Sequence, residues 1–258
     1  MNPIRAVARN TFREAIRDRI LFSLLFFAVA MAGAAILFTQ MSFAIDAEAL
    51  INFGLAALTL FGVIIAVFLG NQLVAKEMER RTLYTLLAHP VRRWQFVLGK
   101  YAGLLLTLLV NCGLMALAFL LALSYVLHGT HPGESIIAVA FLFIFLQLAL
   151  VTALALVFSC FSSPVLAAVF SLALFLVGNF TGDLRAMGRV TTHLPAKLLA
   201  LGCSYLLPNF SDLNVVTAAS HFQPVRADWV LFNIGYVVFY AAALLLAACA
   251  LLAARDLK

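Results

Sequence analysis

The chain has 258 residues and a formal net charge of +6; 65 % of it is hydrophobic, 11 % is charged, and its mean hydropathy is +1.07. Soluble domains carry ~45–50 % apolar and ~25 % charged residues, so a water-soluble fold is excluded and lipid must solvate much of the surface. The basic balance beside long apolar runs reads as membrane topology and contact with anionic lipid, and no groove-reading motif makes it a nucleic-acid binder.

Residues 1–19 repeat Ile4, Ala8, Phe12, Ile16 and then Ile20 every fourth position, and Arg5, Arg9, Arg13 and Arg17 at the same step. In a helix each set becomes a stripe, which predicts an amphipathic helix lying in the membrane interface. Six apolar runs follow, at 20–43, 50–74, 96–127, 135–161, 165–181 and 229–254. A span needs about 20 residues to cross roughly 30 Å, so the expected fold is an all-α polytopic membrane protein with six transmembrane helices. The first run is too long for the ~7–15-residue core of a signal peptide and is expected to stay uncleaved. The runs lack the alternation of a transmembrane barrel. Ser162, Ser163 and Pro164 break the fourth span from the fifth.

Segment 182–228 is semi-polar. Met187, Val190, Leu194, Leu198, Leu201 and Tyr205 recur there at three- and four-residue steps, which predicts an amphipathic helix kinked or divided at Pro195. Leu206 to Phe210, with Pro208 and Asn209 between, reads as a turn back toward the membrane. In the six-span arrangement thirteen Lys and Arg fall on one side and four on the other. The richer side is cytoplasmic, so both termini are expected there and 182–228 outside. Small residues at Gly62, Ala66, Gly70 and at Gly99, Gly103 mark places where helices can approach closely.

Residues 76–90 read as a short helix ended by Pro90, since the residue before proline disfavours the α region. Leu83, Leu86 and Leu87 fall on one side; Glu77, Arg80, Arg81 and Tyr84 fall on the other. This suits a helix parallel to the membrane with one face on the protein and one open to a partner. The pattern Glu77-x-x-x-Arg81-Thr82-x-x-x-Leu86-Leu87-x-x-Pro90-Val91-x-Arg93-x-x-Phe96-x-x-Gly99-Lys100 resembles the signature of type-2 ATP-binding-cassette (ABC) permeases. The branch it is most similar to is associated with the maturation of multicopper enzymes, nitrous-oxide reductase among them. Arg81 stands where many members have Gly.

The resemblance implies a single permease domain, 1–258, with an N-terminal elbow helix at 1–19 and a coupling helix at 76–90. It further implies an extracytoplasmic helical element before the last span. Glu77, Arg80, Arg81, Leu83, Leu86, Leu87 and Pro90 would meet a cytoplasmic ABC ATPase subunit. A second permease copy or similar chain, membrane lipids and a periplasmic protein are the other expected partners. The location would be a bacterial inner membrane.

The chain has no GxxxxGK[ST] loop, HExxH or GxSxG. It is therefore expected not to be an enzyme and to bind no cofactor, with ATP and Mg on the partner ATPase. Among polar residues within the expected spans, Asn111, Gln147 and Asn233 are the candidates to line a pathway. No Asp, Glu, Lys or Arg lies near a span centre, where ion-coupled carriers place them, which points to an external energy source. Two functions remain: an ATP-driven exporter, and a membrane subunit that passes ATPase strokes to a periplasmic partner without moving solute. Catalysis on lipid is a weaker third reading, because no catalytic cluster supports it.

Overall fold

A chain solvated by lipid must close its backbone hydrogen bonds within each segment or around a barrel. The computed structural model describes residues 3–17, 26, 27, 29–31, 33, 36, 46–79, 93–126, 134–191 and 193–254, and the regular structure among them is all α-helical. In chain order the helices are α1 (Pro3–Arg17), α2 (Asp46–Glu79), α3 (Arg93–Val126), α4 (Glu134–Ser159), α5 (Pro164–Asn179), α6 (Thr181–Val190), α7 (Leu194–Leu206), α8 (Val216–Ser220) and α9 (Ala227–Ala254).

Four of these contain apolar stretches long enough to cross a bilayer: Glu48–Asn71, Trp94–Val126, Ser135–Ser159 and Ala227–Ala253. α5 has only 16 residues, about 24 Å of helix. It reaches span length only together with α6, across a 47° bend. The described residues thus hold four spans, or five with the bent pair, where six are expected for the whole chain. The expected first span, 20–43, lies mostly outside the described residues. Within it Phe27 and Met31 are helical and buried, and the Phe27 ring meets that of Phe61 on α2 edge-on at 5.9 Å.

α4 is the centre of the bundle and packs against α2, α3, α5, α8 and α9. Small residues set the distance between α2 and α4. A Cβ on Gly62 would lie 2.8 Å from Leu148, and one on Gly70 would lie 2.7 Å from the Cβ of Ala155. Ala66 between them is buried. Lipid tails are as apolar as these side chains, so close van der Waals contact rather than burial from water holds such a seam. Tyr101 on α3 adds a polar tie by donating to the Ala149 carbonyl of α4 at 3.2 Å. Facing outward, α9 leaves Leu231, Phe232, Val238, Phe239 and Leu246 uncovered, as a lipid-facing helix must.

The bundle has two distinct ends. One carries α1 beside the start of α3, where the 80–92 connection arrives. The other carries α6, α7 and α8, where His221, just past α8, pairs with Glu48 at the start of α2 at 2.7 Å. The segment expected as an amphipathic helix kinked or divided at Pro195 is divided, into α6 and α7, which pack against each other. Pro195 sits in the first turn of α7, where its missing N–H costs nothing.

Candidate functional site

Polar and close-packed features gather at each end of the bundle. At the first, α1 lies on α3 with its backbone almost touching. A Cβ on Gly99 would come within 2.7 Å of Val7 Cβ and 3.1 Å of the Ile4 carbonyl oxygen. On Gly103 it would come within 2.6 Å of the Ala8 carbonyl oxygen and 2.7 Å of Thr11 Cβ. Among the described side chains of α1 the buried ones are Thr11 and Ala15, while Arg5, Arg9 and Arg13 face out. The helix therefore sits on its small residues, turned slightly from the expected Ile4–Ala8–Phe12 stripe, because only small side chains let two backbones come this close. Lys100 is enclosed beside this seat with its Nζ 5.8 Å from the centre of the Phe96 ring, a cation–π distance.

Glu77 lies in the last turn of α2, with its side chain outside the described residues. Arg80, Arg81, Leu83, Leu86, Leu87 and Pro90 also lie outside them. What the structure supplies is the joint on which the 80–92 connection ends: α3 begins at Arg93, and Gly99 follows within two turns.

The second site surrounds the non-helical stretch after α7. Irregular backbone within an apolar bundle is tolerated only when its polar groups find partners, and here they come from four helices. The Phe210 N–H donates to the Gly178 carbonyl of α5 at 3.1 Å. Gln147, midway along α4, donates from Nε2 to the Phe210 carbonyl at 3.3 Å. The Asn209 N–H donates to the Tyr236 hydroxyl of α9 at 2.9 Å, and the Tyr240 hydroxyl donates to the Leu206 carbonyl at 3.2 Å. Thr181, at the start of α6, has its hydroxyl 2.8 Å from Asn209 Oδ1 and 2.9 Å from the Gly178 carbonyl. Its one proton serves one of them at a time. Asn209 Nδ2 donates to Asp212, whose carboxylate stands 3.5 Å from the Arg185 guanidinium. The Phe210 ring is fully buried, edge-on to Phe175 at 5.1 Å, against the bare face of Gly178.

The three expected pathway residues do not act alike. Gln147 donates to the Phe210 carbonyl, which also accepts the Leu213 N–H at 3.2 Å, so Gln147→Leu is expected to remove one of its two donors. The cost should be about 0.5–1.5 kcal/mol, read as a lower unfolding midpoint in detergent; an unchanged midpoint would show the bond to be dispensable. Asn233 is buried and donates to the Trp229 carbonyl of its own helix at 3.0 Å. Asn111 is buried on α3, and its Oδ1 has no hydrogen-bond partner among the described residues. A shallow depression of about 510 Å³ lies elsewhere, at the α6–α8 end, lined by Arg226, Asp228, Trp229 and Phe232.

Sequence reasoning did not single out Asn209, Asp212, Arg185 or Tyr236. The available signal was Pro208-Asn209-Phe210-Ser211-Asp212, a run of turn formers between two apolar helices. The sequence marks a turn at Leu206 to Phe210 and gives no sign of what that turn touches.

A family model described as ABC-2 family transporter protein matches residues 5–257. No curated protein matches the chain. The match runs over almost the whole length and agrees with several apolar helices around a central one. Members of this family are membrane-embedded permease subunits that associate with an ABC ATPase. The chain belongs to the ABC-2 family of transporter proteins.

Proposed function

We propose that this permease is the membrane half of an ATP-driven exporter in a bacterial inner membrane, with two copies, or one copy and a similar chain, on two ATPase subunits. Both termini and the 76–90 coupling helix face the cytoplasm, following the excess of Lys and Arg there. The partner binds and hydrolyses ATP with Mg; this chain converts the stroke into movement of its spans. In this reading Glu77, Arg80, Arg81, Leu83, Leu86, Leu87 and Pro90 meet the ATPase.

The observation that carries this reading is the seat of α1 on Gly99 and Gly103. A push on the 80–92 connection arrives at the start of α3, and α1 lies across that start. The two therefore move as one rigid joint. Glu77→Ala and Arg81→Ala are each expected to lower ATPase co-purification or to cut transport-coupled ATP turnover at least tenfold. Full coupling in both variants would sink the coupling assignment.

One observation favours transmission without solute flux. α7 is apolar and almost wholly uncovered, with Leu206 80 % exposed, and a periplasmic protein could receive a stroke there. A stable complex through 182–228 without any flux would select this reading over export.

A further inference from the structure

We propose that the depression at the start of α9 holds the headgroup of a zwitterionic phospholipid, one with an amine beside its phosphate, in the leaflet at the α6–α8 end. Arg226 takes the phosphate and Asp228 the amine, and an acyl chain runs down α9 over Phe232, Gly235 and Phe239. The site needs only a membrane-embedded chain and does not rest on the coupling assignment. Its volume of about 510 Å³ falls within the ~300–1,000 Å³ of ligand sites.

The position of the charged pair calls for polar company. The Trp229 ring stacks on Phe143 of α4, with centres 5.1 Å apart and planes 12° from parallel. Phe143 comes nine residues after the start of α4 at Glu134, about 13 Å of helix. The chain therefore enters α9 well inside the end of α4. Arg226 and Asp228 enter with it, their side chains 83 % and 66 % exposed. Charge set beside apolar helices needs water, a counter-charge or a headgroup. A second copy laid on this face would strip the pair of water, at a cost its attraction rarely repays; a headgroup keeps it hydrated.

The pair also selects the headgroup. The Arg226 guanidinium donates from Nε to Asp228 Oδ1 at 3.2 Å and from Nη2 to Oδ2 at 2.7 Å. These two bonds leave the Nη1 donors for a phosphate and further carboxylate lone pairs for an ammonium. Because the two charges cancel, a neutral zwitterion matches the site better than an anionic headgroup. Below the pair, Asp228, Phe232, Gly235 and Phe239 fall on one stripe of α9. Phe232 and Phe239 are exposed, and no neighbouring atom among the described residues comes within 4 Å of a Cβ placed on Gly235. The two rings thus wall a notch. From Asp228 to Phe239 the helix covers about 16 Å, the depth of one leaflet of a ~30 Å core.

The test uses the full chain in detergent, titrated with phosphatidylethanolamine and phosphatidylglycerol of matched acyl chains and read by native mass spectrometry. The wild type is expected to take its first phosphatidylethanolamine at least fivefold more tightly than its first phosphatidylglycerol. Asp228→Asn leaves Arg226 uncompensated and should erase or reverse that preference, whereas Asp183→Asn on α6 should keep it. Equal affinities in the wild type, or an unchanged preference in Asp228→Asn, would overturn the site. A second measurement needs no change to the pair. In Trp94→Phe the remaining tryptophan is Trp229, and the protein is placed in vesicles of equal parts of the two lipids, with bromine on the acyl chains of one at a time. Brominated phosphatidylethanolamine should quench Trp229 more strongly, and equal quenching counts against the proposal. A disulfide-linked dimer through Phe239→Cys, in a chain without its native cysteines, would put a second copy on the stripe and defeat it.

Discussion

Gly103→Val is expected to unseat α1 from α3. The added Cβ would stand 2.6 Å from the Ala8 carbonyl oxygen and 2.7 Å from Thr11 Cβ. The first of these is backbone and cannot turn aside. Overpacking usually costs about 1–3 kcal/mol, and a backbone obstacle puts this site at the upper end. At 1.4 kcal/mol per decade that is roughly a hundredfold fall in the ratio of seated to unseated helix. Hydrogen exchange of the α1 amides should speed up accordingly, and ATP turnover should lose its coupling to transport if α1 and α3 act as one joint. Gly113→Ala on the same helix is the control. No atom lies within 4 Å of its added Cβ, so the gain in helix propensity, up to ~1 kcal/mol, meets no obstacle. Unchanged α1 exchange in Gly103→Val would mean that the seat does not hold the helix.

The second large effect is expected at the far end. Gly178→Val would put its Cβ 2.6 Å from the Phe210 ring and 2.6 Å from the Pro208 carbonyl oxygen. The ring could shift, but the carbonyl is held by the chain on both sides. Displacing the loop would break its bonds to Gly178, Gln147 and Tyr236, each worth about 1 kcal/mol, and add about 1–3 kcal/mol of overpacking. The sum, on the order of 4–6 kcal/mol, should appear as a large fall in the detergent unfolding midpoint. Phe210→Ala in the same chain should restore part of it. A double-mutant cycle over Gly178→Val and Phe210→Ala is expected to show coupling above about 1 kcal/mol. Strict additivity would mean that the ring and the glycine do not meet.

The helices were legible because lipid permits little else: an apolar run of sufficient length is a helix, and its ends are marked by charge or proline. Close approach was legible too, at Gly62, Ala66 and Gly70 and at Gly99 and Gly103. Its partner was not. Spacing shows that some helix comes near but does not say which, and for Gly99 and Gly103 the neighbour is α1, whose periodicity pointed to lipid. The end of the fifth run at 181 was legible from the polar residues that follow it. The immediate restart of helix at Thr181 across a 47° bend was not, since no proline or glycine marks Asn179 or Phe180. The loop network was invisible for a different reason. Its bonds join residues far apart in sequence, 63 positions in the case of Gln147 and Phe210. Nothing in the spacing of Gln147 therefore announces that it donates to a buried loop.

The loop after α7 also sets a deadline for biosynthesis. Its anchors on α4, α5 and α6 are made before it, but Tyr236 and Tyr240 arrive only with α9, which follows it in the chain. Until then the Asn209 N–H and the Leu206 carbonyl sit at the edge of an apolar bundle with neither tyrosine available. A chain stopped before α9 carries this flaw permanently. Premature termination near residue 226 should therefore yield a membrane-inserted product that cellular proteases clear, even though most of its helices are complete.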